Sequence, residues 1–98
     1  MAKDYYRQKP KRLEFLWKRD KDGTILLRMM NSQFLISLGP MGTDVYERCN
    51  AKTTMAEIIE FVKNKYSLIP AQEIEHDIYQ FVHWLESLGL LLVYWDDF

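Results

Sequence analysis

The sequence predicts an α+β domain in which a three-stranded antiparallel sheet is followed by three helices. Short apolar runs rich in aromatic and β-branched residues fill the first forty positions, and tight-turn signals separate them. Beyond that point the apolar residues recur at helical spacing instead. The length of 98 residues suits a single domain. This order of elements is related to winged-helix folds.

The three predicted strands are joined by two short reversals. Asp22-Gly23 lies between two apolar runs, which is a hairpin signal because Gly adopts positive φ at low cost. The second reversal falls at residues 30–32, where Asn31 tolerates the left-handed region. The strands are therefore predicted at residues 13–18, 24–30 and 33–38, as an antiparallel meander.

The first helix is predicted directly after Gly39-Pro40-Met41-Gly42, a stretch that ends the third strand. Its apolar residues, Met41, Val45, Tyr46 and Cys49, share one face. The second helix begins at Thr54, because Thr54 and Glu57 have the spacing of a capping box.

The third helix is predicted to begin at Pro70 and to run to about Leu88. Proline suits a first helical turn, since its missing N–H would have no partner there. Gly89 is placed just past the helix end. Residues 90–95 are apolar and could form a short strand. The stripe that faces the core comprises Ile74, Ile78, Phe81, Val82, Leu85 and Leu88.

Charge divides the chain into unequal parts. Residues 1–28 have a net charge of +5, and the remainder has −6. We predict a flexible basic arm at residues 1–12, a folded domain at 13–92 and an aromatic and acidic tail at 93–98. The basic front could meet a charged partner, although an ordinary solvated face explains it equally well.

Few residues are arranged for catalysis or metal binding. The single cysteine, Cys49, rules out a disulfide framework and a Cys-rich zinc site. His76 and His83 are seven residues apart on one predicted helix, roughly 10 Å by helix rise, so they cannot share one metal. We therefore expect a protein that is not an enzyme, holds no cofactor or metal, spans no membrane and is cytoplasmic.

The third predicted strand is apolar on both of its faces. Ile36 and its even-numbered neighbours can bury against the helices, whereas Leu35, beside Ser37, needs a separate cover. One interpretation is a minor contact within the core. The other is a docking edge, where a foreign peptide adds a strand through main-chain hydrogen bonds.

The order of elements and several short motifs resemble the PqqD family of small peptide chaperones, also called RiPP recognition elements. The resemblance covers about residues 13–92. The matching motifs are Asp22-Gly23, the apolar strand that leads into Gly39-Pro40-Met41-Gly42, Val45-Tyr46, Thr54-Met55-Ala56-Glu57-Ile58, Tyr66, Pro70, Asp77-Ile78 with Phe81, and Leu88-Gly89-Leu90-Leu91.

This resemblance implies an adaptor that binds the leader segment of a ribosomally synthesised precursor peptide and presents it to a modifying enzyme. In many such systems the enzyme is a radical S-adenosylmethionine (SAM) protein, and in lasso-peptide systems it is a leader peptidase. The leader is implied to lie as an added strand along the third strand, against the third helix. Carried over by position, the implied peptide-binding residues are Phe34, Leu35, Ile36, Ser37, Ile74, Asp77, Ile78 and Phe81.

The sequence departs from the family pattern at Gly39, where Asn is frequent, and in the turn at 50–53. The tail at 93–98 is longer and more aromatic than the pattern requires, and we hypothesise that it docks the modifying enzyme. An alternative function is a winged-helix nucleic-acid-binding protein that uses the basic front, although the third helix is acidic. A purely structural subunit of an enzyme is a third. The precursor, the modification and the choice between monomer and dimer stay open.

Overall fold

The computed structural model describes residues 3–13, 17–28 and 35–94. Within them lie a short 3₁₀ helix, two small antiparallel sheets and three α-helices. The 3₁₀ helix is Lys3–Arg7, the strands are β1 (Lys9–Arg12), β2 (Trp17–Arg19), β3 (Ile25–Arg28), β4 (Leu35–Ser37) and β5 (Leu91–Tyr94), and the helices are α1 (Gly39–Glu47), α2 (Met55–Lys65) and α3 (Ala71–Ser87).

The predicted meander is confirmed, since one sheet has the order β2-β3-β4 with antiparallel neighbours. At its first turn the Gly23 N–H donates to the Asp20 carbonyl at 3.0 Å, and the Asp20 N–H donates to the Thr24 carbonyl at 2.8 Å. Gly23 has a φ of +87°, which explains why glycine is needed there. Residues 14–16, 29–30 and 33–34 of the predicted strands, which include Phe34, lie outside the described residues, as does the second reversal.

The three predicted helices are also confirmed. The Thr54 side chain accepts from the Glu57 N–H and the Glu57 side chain accepts from the Thr54 N–H, so the capping box is complete. Gly89 follows the α3 C-cap with a φ of +73°. One boundary differs: α1 already includes Gly39 and Pro40, because a proline in the first turn needs no hydrogen-bond partner.

The N-terminal segment differs from the loosely held arm that the sequence predicts at residues 1–12. β1 pairs antiparallel with β5, and the Arg12 N–H donates to the Cys49 carbonyl at 2.8 Å. Pro10 fits this strand because its backbone carbonyl accepts from Ala51 on the side where its own N–H is missing. Tyr5 is buried against the helices. The domain limits at 13 and 92 stay predictions.

The core lies where the helices pack on one another and on the two sheets. On α3, the predicted stripe is fully buried except for Phe81 and Leu88, which are only partly buried at its flank. Four residues of that stripe and four apolar residues of α2 are buried. They are Ile74, Ile78, Val82 and Leu85 on α3, and Met55, Ile58, Ile59 and Val62 on α2. No helix among the described residues has the length and apolarity needed to cross a membrane.

Two hydrogen bonds fix α1 relative to the strands. At its N-terminal half, the Thr43 hydroxyl accepts from the Ile25 N–H at 2.9 Å. At its C-terminal end, the Arg12 guanidinium donates to the Glu47 carbonyl at 2.8 Å, so a cation caps the negative end of the helix dipole. α1 is thereby held beside the end of β4.

We expect Thr54→Ala to lower the free energy of unfolding by about 1 kcal/mol, because the first turn of α2 loses its side-chain cap. Urea denaturation at pH 7 measures this value. Thr53→Ala is the matched control, since the Thr53 side chain makes no hydrogen bond among the described residues, and it should change stability little. Equal losses in the two variants would contradict the capping role.

The capping box also predicts a pH dependence. Hydrogen bonds from the Thr54 N–H and hydroxyl lower the pKa of Glu57 from its ordinary value of 4.5. A lowered folded-state pKa stabilises the fold above the unfolded pKa, and that stabilisation disappears as the pH falls through the folded-state value. We therefore expect the stability difference between the native protein and Glu57→Gln to be present at pH 7 and to disappear as the pH falls through the folded-state pKa of Glu57. A pH-independent difference would contradict this account.

Candidate functional site

β4 is an edge strand whose described hydrogen-bonding partner is β3 alone. The Leu38 N–H donates to the Ile25 carbonyl at 3.0 Å, which places Ile36 opposite Leu27 as the next hydrogen-bonded pair. Because such pairs alternate in an antiparallel ladder, the N–H and C=O groups of Leu35 and Ser37 point away from β3. The open edge of β4 therefore presents two donors and two acceptors.

The side chains of β4 alternate between two environments. Ile36 packs against the core, on the same sheet face as its cross-strand partner Leu27. Leu35 and Ser37 lie on the opposite face, and Leu35 is 46% exposed. An apolar side chain thus stands largely uncovered beside the free backbone groups, which favours the docking edge over the minor core contact.

A cavity of about 180 Å³ opens between the end of β4, α1 and α3. Its lining is apolar with one exception, the carboxylate of Asp77. The residues that line it are Leu38, Met41, Gly42, Val45, Asp77, Ile78 and Phe81.

Gly42 allows the ring of Phe81 to lie directly against α1. A Cβ at position 42 would lie 3.0 Å from the Leu38 Cβ and 3.2 Å from the nearest atom of the Phe81 ring. Real Cβ atoms rarely approach so closely, so Leu38 and the Phe81 ring would have to shift. The missing side chain of Gly42 therefore sets the position of Phe81, one wall of the cavity.

Apolar surface continues beyond the cavity along α3. Trp84 is 44% exposed, and its ring centroid lies 6.4 Å from that of Phe81. Asp77 is exposed, and no cation in the described part of the chain forms an ion pair with it. The site thus combines an open strand edge, an apolar cavity and one acidic group.

The structure brings together most of the residues that the family resemblance implied. Leu35, Ile36 and Ser37 form β4, and Asp77, Ile78 and Phe81 line the adjacent cavity. Ile74 is different, because it is fully buried in the core and does not line the cavity. Phe34 lies outside the described residues.

Sequence reasoning missed the contribution of α1 and of Leu38. Met41 and Val45 were assigned to the core face of α1, yet both also line the cavity. One signal was available, since a glycine inside a helical pattern often marks a close approach of two elements. Gly42 was instead assigned to the turn that ends the strand.

Behind the cavity, a polar cluster braces α1 against the end of α2. The buried Asp44 carboxylate accepts from the Tyr66 hydroxyl at 2.6 Å and from the Lys65 ammonium at 3.0 Å. Burial, and then the hydrogen bond to Asp44, raise the pKa of the Tyr66 phenol to about 12. This cluster helps to fix the helix that forms one side of the cavity.

The remaining reactive groups offer little chemistry. Cys49 is fully buried, and burial raises the pKa of its thiol to about 12, so the nucleophilic thiolate is scarce at neutral pH. Among the described residues, no three His, Cys, Asp or Glu side chains come close enough together to hold a metal ion. The features that stand out at this site are those of a binding surface.

A family model described as "Coenzyme PQQ synthesis protein D (PqqD)" matches residues 23–91, which include β3, β4, all three helices and every residue that lines the cavity. The chain belongs to the PqqD family. This confirms the resemblance seen in the sequence. Neither the search of curated proteins nor that of solved structures gave a match.

Membership of the PqqD family has consequences for function. It supports peptide binding and a role in the biosynthesis of ribosomally made, modified peptides. It implies a precursor peptide and a modifying enzyme as partners, and it is consistent with a non-catalytic accessory role. The 3₁₀ helix, β1 and β2 lie outside the matched region.

We expect Tyr66→Phe to lower the free energy of unfolding by about 2 kcal/mol, because the Asp44 carboxylate loses a charge-assisted hydrogen bond. Chemical denaturation measures the loss. Tyr79→Phe is the matched control, since the Tyr79 ring packs between Tyr5 and His83 while its hydroxyl makes no hydrogen bond among the described residues. If the two variants lost equal stability, the Asp44 cluster would not be the brace described.

Proposed function

We propose that this PqqD-family protein binds the leader segment of a ribosomally synthesised precursor peptide by strand addition at β4 and presents it to a modifying enzyme, a radical SAM protein. The protein itself performs no chemistry in this proposal. It holds the precursor while the enzyme acts on another part of the same peptide.

The observation that carries the proposal is the open edge of β4. The outward N–H and C=O groups of Leu35 and Ser37 match the hydrogen-bonding pattern of an extended peptide. Proteins usually protect such an edge with a charge, a proline or a bulge, because an exposed edge promotes aggregation. β4 has none of these, since its sequence is Leu-Ile-Ser.

The cavity supports the same proposal because of where it lies. A strand added beside β4 would direct alternate side chains to the face on which Ile36 and Leu38 lie. The cavity opens at the end of β4, and α3 forms the wall opposite Leu38. Main-chain hydrogen bonds would thus provide affinity, and the contact with α3 would provide selectivity.

The charge of α3 argues against the nucleic-acid-binding alternative. α3 carries Glu73, Glu75, Asp77 and Glu86 and contains no Lys or Arg. Phosphate affinity comes from basic contacts, so this helix is poorly suited to enter a DNA groove. We expect α3 to make no contribution to DNA binding when a DNA duplex of arbitrary sequence is titrated with the protein at 50 mM salt.

We expect Leu35→Asp to abolish leader binding while the fold survives, since Leu35 is half-exposed at the edge and a carboxylate there opposes strand pairing. Calorimetry with a candidate leader peptide measures the affinity. The matched control is Leu68→Asp, because Leu68 is fully exposed in the turn after α2.

Circular dichroism should show that both variants melt close to the native temperature. Native affinity in Leu35→Asp would exclude strand addition at β4, whereas a leader that binds neither the native protein nor the variant would favour a purely structural subunit. Loss of affinity in both variants alike would show that the effect comes from added negative charge and not from the edge.

A further inference from the structure

We propose that the leader segment carries one large apolar residue that fills the cavity and a Lys or Arg two residues away, on the same face of its strand, that pairs with Asp77. This inference rests on the proposed function and specifies the substrate of that site. Gly42 acts in it as the residue that sets the size of the accepted side chain.

The cavity has room for one side chain. Its volume is about 180 Å³, and an apolar protein cavity of about 150 Å³ accommodates a benzene molecule. A single Leu, Ile, Met or Phe side chain therefore fits. Apart from Asp77, every lining residue is apolar or glycine, so a buried polar group would lose its hydrogen bonds to water without replacement.

Strand geometry limits which neighbours of that residue reach the same site. Side chains on one face of a strand repeat every second residue, at a spacing of about 6.8 Å. The residues directly before and after the anchor point to the other face, towards Leu35 and Ser37. The positions two residues before and two residues after the anchor are thus the ones that reach the rim of the cavity.

Asp77 is the one charged residue among the described residues that line the cavity. Two other acids of α3 already have partners, since Glu75 contacts Tyr6 and Lys63, and Glu86 lies 3.8 Å from His83. The Asp77 carboxylate has no ion pair among the described residues. A cationic residue of the leader complements it, and an acidic residue at the same position is repelled.

Gly42 limits the depth of the cavity from the side of α1. The backbone at position 42 is helical, so alanine is compatible with it. An alanine Cβ would, however, meet the Leu38 Cβ at 3.0 Å and the Phe81 ring at 3.2 and 3.3 Å, so that these two walls of the cavity would have to move. Gly42→Ala should therefore disfavour large anchors more than small ones.

The first test varies the anchor residue in a candidate leader peptide that binds the native protein, with affinities measured by calorimetry. An alanine scan should find one apolar position where truncation weakens binding roughly 30-fold. In the native protein, Leu or Phe at that position should bind more tightly than Val. In Gly42→Ala, Val should bind as tightly as the large residues or more tightly.

The second test reverses the charge. In the native protein, a peptide with Glu in place of the basic residue two positions from the anchor should bind about fivefold more weakly. Asp77→Lys should invert this order, so that the Glu peptide binds more tightly than the Lys peptide. Melting temperatures of Gly42→Ala and Asp77→Lys will establish whether the two variants are folded. If Gly42→Ala is unstable, the peptide series with the native protein still tests the size limit of the cavity.

The outcomes separate this inference from the proposed function. A leader that does not bind at all refutes both. A leader that binds through the β4 edge but tolerates alanine at every apolar position refutes the single anchor. An equal response of Asp77→Lys to Lys and Glu peptides refutes the ion pair and leaves strand addition intact.

Discussion

The function proposed for this structure depends on the outward N–H and C=O groups of Leu35 and Ser37. These groups make no hydrogen bonds within their own sheet. An unpaired strand edge is normally a liability, because any extended chain can complete it. Here the edge lies beside an apolar cavity and a long helix, and the three are held in place by α1. Under the proposed function, the arrangement turns a general risk of aggregation into a selective site, because the side-chain contacts would decide which extended chain binds.

Two other edges of these sheets, those of β2 and β1, are managed differently. The outer strand β2 carries Lys18 and Arg19, and charged side chains discourage pairing with a foreign strand. β1 is covered on one side by β5 and on the other by the loop at residues 49–51, through bonds to Cys49 and Ala51. This difference supports the view that the open side of β4 is retained for binding.

The rigidity of the site comes from contacts that lie outside it. Thr43 joins α1 to β3, Arg12 caps the C-terminal end of α1, and Asp44 joins α1 to the end of α2. These contacts use either a polar side chain of α1 or the C-terminal end of the helix. Met41 and Val45 take part in none of them and line the cavity. A site held on helices and strands keeps its geometry better than one held on loops.

Much of the fold could be predicted because the decisive signals are local. The Asp22-Gly23 turn, the Thr54–Glu57 capping box and Gly89 each act over three or four residues, and each appears where the sequence placed it. β1 could not be predicted in this way. Its sequence, Lys-Pro-Lys-Arg, has no strand pattern, and it is ordered by pairing with β5 at the far end of the chain.

The candidate site was predicted in outline but not in detail. The apolar character of both faces of β4 indicated an edge, and the family resemblance supplied Asp77, Ile78 and Phe81. The role of Gly42 depends on its distance from the Phe81 ring, which belongs to another helix. The burial of Ile74 likewise depends on the packing of whole elements, because periodicity gives a helix face but not the depth of each residue within it.

Amide hydrogen exchange by NMR, with and without saturating leader peptide, tests the central claim most directly. Strand addition at β4 predicts that the N–H groups of Leu35 and Ser37 become protected at least tenfold, while that of Ile36, already directed at β3, changes little. Unchanged exchange at Leu35 and Ser37 in the presence of a bound leader would contradict the account.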